Sequence, residues 1–118
     1  MKKGNPSTAE VLEKLVECTT RGAQVELTLR DGQKISRFRV HEVIAPKGSL
    51  HAPREARARG IVWPEHGMHR DEYIQVRDIA SVRDERLTPY FASEQFFQRH
   101  PLPVSWVRLA RCPAAPKT

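Results

Sequence analysis

Two breaks in the side-chain alternation of residues 23–44 constrain this chain more than any other feature. Val25, Leu27 and Leu29 alternate with Glu26, Thr28 and Arg30, the period-two pattern of a strand with one face buried. Asp31-Gly32 comes next, and an Asp-Gly pair between alternating runs is the strongest short-range hairpin signal. The return run carries Ile35, then Phe38 and Val40, then Val43 and Ile44. Its apolar parity therefore switches after Ile35 and again after Val40. A regular strand cannot turn residues of both parities to one side, so this strand should be bulged or strongly bent.

Long bent strands of this kind turn the corner in small five-stranded barrels. A second stretch, Glu72 to Arg83, supports such a fold: Tyr73, Ile74 and Val76 make a strand, and Ile79 and Val82 follow the polar pair Arg77-Asp78. Upstream, Ser7-Thr8-Ala9-Glu10 reads as a capping box. Val11, Leu12, Leu15 and Val16 continue it at helical spacing, and Gly22 is placed to end the helix in a left-handed cap. The expected fold is mainly β with added helices (α+β). It is a small bent five-stranded SH3/Sm-like barrel with an N-terminal capping helix and a C-terminal helical extension. One domain is expected over residues 1–118: helix 7–21, barrel 23–86 with a long basic loop at 45–59, extension 88–112 and tail 113–118.

"VELTLRDGQKI" followed by "EYIQVRDIASV" resembles the SH3-like and Sm-like small barrels, and within them is most similar to the Rho-binding antitermination (Rof-like) proteins of bacteria. Leu29, Asp31, Gly32, Arg77, Asp78, Ile79 and Ser81 stand in the matching places. The matched parts cover roughly half the chain. The resemblance implies a non-enzymatic regulatory module associated with transcription. Three departures are the long basic connection, the C-terminal extension and a positive charge where Rof-like proteins set acidic residues against Rho.

That charge bears on the partner. Lys and Arg number 20 against 14 Asp and Glu, for a net +6 and a pI near 9.8. Such a balance suggests an anionic partner, with nucleic acid ahead of an acidic protein or a membrane surface. Solvated surface arginine is the plain alternative. The N-terminal residues lack the apolar run of a signal peptide. No segment reaches the ~20 apolar residues of a membrane span. Cys18 and Cys112 form no zinc or redox spacing. A cytoplasmic protein with reduced thiols is expected.

Between Ile44 and Tyr73 lies the least barrel-like part, where Gly60-Ile61-Val62-Trp63 reads as a short third strand stopped by Pro64. The basic residues Lys47, Arg54, Arg57, Arg59 and Arg70 cluster here around Trp63. Guanidiniums pair with phosphates and an exposed indole stacks on unpaired bases. The expected partner is therefore nucleic acid, RNA favoured, or a nucleic-acid-handling protein. Trp63 packed beneath the loop is the competing reading.

His66 and His69 could give two ligands to a metal, but a closed structural site needs four, so neither a metal nor another cofactor is expected. His41, His51 and His100 carry no signal. No nucleophile elbow, phosphate loop or dinucleotide turn is present, and the chain does not read as an enzyme.

After Glu85 the composition changes. Thr88-Pro89 reads as a helix start, followed by an aromatic-rich helix to about Arg99. Residues 104–111 fit a strand or a last helical turn, strand being favoured. The alternative function is a protein-interaction or oligomerisation module that uses a barrel edge or this aromatic segment, where Phe91, Phe96 and Trp106 would form the interface if exposed. More often such rings pack an extension onto a core.

Overall fold

The computed structural model describes residues 6–48 and 52–116. Residues 49–51 of the expected basic loop, and the termini 1–5 and 117–118, lie outside the described residues. The chain is an α+β fold built on one six-stranded antiparallel sheet. Helix α1 (Thr8–Arg21) leads into β1 (Val25–Leu29) and the long β2 (Lys34–Pro46). A short helix α2 (Ala52–Glu55) precedes β3 (Arg57–Val62) and β4 (Arg70–Gln75), and a 3-10 turn (Val76–Asp78) leads to β5 (Ile79–Asp84). Helix α3 (Glu94–Arg99) and β6 (Trp106–Arg111) complete it. The strand order is β4-β3-β2-β1-β5, with β6 also on β2, and the sheet is not closed.

The parity breaks in β2 are bulges. Val25 faces Phe38 while Leu27 faces Ile35, so Ser36 and Arg37 oppose the single residue Glu26. Arg37 takes a left-handed φ of 57°, a strained value for a side-chain-bearing residue. Its amide is fixed by Glu85 Oε1 at 2.9 Å, and its Nε donates to the Trp63 carbonyl at 2.6 Å. The second bulge is His41, the extra residue between the Val40–Gly60 and Glu42–Arg59 pairs. Together they turn Ile35, Phe38, Val40, Val43 and Ala45 into one core cluster. At the second bend the two backbones nearly touch. A Cβ on Gly60 would stand 2.1 Å from the Arg39 carbonyl oxygen, so only glycine fits.

Val11, Leu15 and Cys18 of α1 cover that core face. Both halves of the capping box form, and Gly22 ends the helix at φ 69°. β2 holds β1 along its first half and β6 along Glu42–Pro46.

Three expectations are corrected here. The stretch 45–59 is not one loop. β2 runs on to Pro46 and β3 begins at Arg57, because Ala56 and Ala58 bury against the core. The late helix does not start at Pro89: Ser93 caps it through a bond from the Phe96 amide to its Oγ, and Tyr90 is instead a core anchor whose hydroxyl donates to the Val40 carbonyl at 2.5 Å. The sheet has six strands where five were expected, because β6, within the 104–111 stretch favoured as a strand, pairs with β2.

Candidate nucleic-acid interface

The sheet face opposite α1 carries the charged residues of four strands. Arg39, Glu42 and Ile44 of β2 share it with Arg57, Arg59 and Ile61 of β3, because Val43 and Ala58 between them point to the core. Register places Asp71, Tyr73 and Gln75 of β4 opposite Ile61, Arg59 and Arg57. Trp106 and Arg108 of β6 lie opposite Pro46 and Ile44.

Of the six nucleic-acid candidates, Lys47 and Arg54 are exposed, and so is Arg70, which pairs with Glu72 at 3.0 Å. Arg57 is half-buried, with its guanidinium 5.8 Å from the Tyr73 ring and 5.6 Å from the Trp106 ring. Its Nε and Nη1 are buried and meet no acceptor among the described residues. A guanidinium against two ring faces makes cation–π contacts with both. Lys47 follows Pro46, the cross-strand partner of Trp106, and its amide donates to the Ser105 carbonyl at 2.7 Å. Lys47, Arg57, Trp106 and half-exposed Tyr73 therefore gather at one end of the face.

Arg59 is the candidate the structure removes. It is 5% exposed, and its Nε donates to Glu42 Oε2 at 2.8 Å. Its Nη2 contacts the same oxygen and also donates to the His100 carbonyl at 3.0 Å. Arg108 Nε donates to the other Glu42 oxygen at 2.7 Å. A carboxylate with no exposure is thus held between two guanidiniums. Arg59 is structural and cannot reach a phosphate. The sequence offered no sign of this, because Glu42 becomes its partner only through the bulge at His41.

At the other end of the face stands Trp63, half-buried. The Arg39 guanidinium lies 4.3 Å from its ring centre and the His69 ring centre lies 3.4 Å away. Burial lowers the Arg39 pKa from its ordinary value. Asp71 accepts from Arg99 at 2.9 and 3.0 Å and contacts His100 at 2.7 Å. The Arg99 hydrogen bonds hold the Asp71 carboxyl below its ordinary range.

The interface and metal candidates fare unevenly. Phe96 is 1% exposed and packs on His41, so it cannot serve a docking surface. Phe91 is 50% exposed and Trp106 is half-buried. His66 and His69 are exposed, His69 is spent on Trp63, and among the described residues no group of three or more potential metal ligands stands together. His41, which carried no signal in the sequence, proves central to the attachment of the extension. Its Nε2 accepts the Ser93 amide at 3.1 Å, and its carbonyl accepts the Cys112 amide.

Among the described residues, no helix is long and apolar enough to cross a membrane. No family model, curated protein or solved structure matches this chain.

Proposed function

We propose that this protein is a non-enzymatic binding module for nucleic acid, RNA favoured, acting through the guanidinium- and ring-lined face of its sheet. One observation carries the reading: the half-buried Arg57 guanidinium lies 5.8 Å from the Tyr73 ring and 5.6 Å from the Trp106 ring, at the end of the sheet face that also holds exposed Lys47. Exposed Lys47 and Arg54 adjoin it in sequence or register. Cations supply sequence-independent attraction to phosphates, and half-exposed rings suit unpaired bases. Arg70 adds long-range charge.

The strand order β4-β3-β2-β1-β5, with a 3-10 turn between the two end strands, supports assigning the chain to the SH3/Sm-like barrels. A regulatory role near the bacterial transcription machinery, as in the Rof-like proteins, follows from that assignment. Two free, buried cysteines suit a reducing cytoplasm.

The test is binding of purified, nuclease-treated protein to a short single-stranded RNA and a duplex DNA at low and moderate salt. Affinity should fall steeply with salt and fall again when Lys47, Arg54 and Arg57 become Ala. Arg59 must stay. Absence of binding to either nucleic acid refutes the reading.

A further inference from the structure

A groove of about 610 Å³ opens between the Trp63 end of the sheet and the segment leading into α3, lined by Ile61, Trp63, His69, Asp71, Ser93 and Arg99. The two groups set against Trp63 are held very differently. Arg39 is tethered, its Nε donating to buried Gln24 Oε1 at 3.0 Å. His69 is exposed, makes no hydrogen bond to the described residues, and lies in an irregular connection with Gly67 at φ 104°. One neighbour of Trp63 is therefore tethered by a side-chain hydrogen bond and the other is not.

We propose that this groove takes one unpaired base of single-stranded RNA, stacked on Trp63 in the place that His69 holds in the free protein. The proposal rests on the nucleic-acid reading above and adds to it a site for a base. The His69 imidazole, its ring centre 3.4 Å from that of the indole and tilted 36° to it, already sets an aromatic heterocycle against Trp63, and a base is the larger ring with more to gain from the same contact. The rim matches a base edge. The Ser93 hydroxyl, whose Oγ accepts the Phe96 amide, keeps its own proton to donate. Asp71, held in place by Arg99, offers an acceptor. Donors and acceptors set around the groove favour a base over a bare phosphate, which needs donors alone.

The experiment uses the unaltered full chain, with a short single-stranded RNA and an abasic chain of the same length and charge, and reads Trp63 fluorescence as the part of the emission that Trp63→Leu removes. The intact strand should bind about 5- to 150-fold tighter than the abasic one and quench Trp63 fluorescence. Trp63→Leu should erase that difference while abasic binding persists. His69→Ala should retain or strengthen intact-strand binding. Equal, salt-sensitive binding of both strands overturns the base site and leaves the phosphate reading standing. Tight binding of the intact strand without quenching also overturns it. If neither strand binds, the nucleic-acid reading itself fails.

Discussion

The imidazole of His41 accepts the backbone N–H of Ser93 across a partly buried contact of 3.1 Å, which fixes its tautomer. Nε2 must be bare, so Nδ1 carries the proton and donates to the Arg39 carbonyl at 3.0 Å. The ring also packs on Tyr90, Phe96 and Phe97. One neutral histidine thereby joins the second bulge of β2 to the segment that covers it.

The pH dependence follows from that tautomer. Burial holds His41 below its ordinary value of 6.5, so near that pH the unfolded chain takes up a proton that the folded chain refuses. Its contribution is full above the unfolded value and declines as pH falls below it. The slope is at most ~1.4 kcal/mol per pH unit. Urea unfolding from about pH 7.5 to about pH 5.5 should show the decline, and His41→Asn should be less stable but flatter. An equally steep profile in the variant would assign the slope to another group.

Arg57 and Arg59, two residues apart on one strand face, should respond oppositely to alanine. Arg59→Ala strands the Glu42 carboxylate with half of its partners and should cost about 3–5 kcal/mol of stability. Arg57→Ala removes a cation whose Nε and Nη1 meet no acceptor among the described residues and should leave the unfolding midpoint nearly unchanged while weakening RNA binding. Paired denaturation and binding curves decide it. Equal stability loss in both variants would contradict the division.

Gly60→Ala should destabilise the chain by about 3 kcal/mol or prevent folding, since the added methyl meets backbone that cannot move aside. Thermal unfolding against Gly32→Ala, where nothing lies within 4 Å, separates the steric effect from glycine's conformational freedom.

Neither thiol should react in the native state. Burial raises the Cys18 pKa and pushes Cys112 up to about 11, so both remain protonated at neutral pH as well as covered. Aromatic-disulfide titration should stay silent until denaturant is added and then report two thiols. Rapid labelling of the folded chain would reveal an opening near the extension.

Much of the central strand was legible because its signals are local. Ile35, Phe38, Val40 and Val43 break parity in the sequence itself, and each break is a bulge in the sheet. The Ser7 capping box and Gly22 are likewise short-range patterns. The site was less legible. Arg57 and Arg59 looked equivalent as charges in a basic stretch, and only the register with Glu42 and Gln75 separates them. Ser93 outcompeted Pro89 as the helix start because Tyr90 was already committed to the Val40 carbonyl. His41 looked incidental until the second bulge turned it toward Ser93.

Glu42 has a consequence for how such a chain can vary. Its carboxylate takes one guanidinium from β3 and another from β6, the last strand. It is therefore a liability in any variant that lacks either one. Substitutions at 42, 59 and 108 should be tolerated together and rejected singly. A relative trimmed of its final strand should carry a neutral side chain where this protein has Glu42.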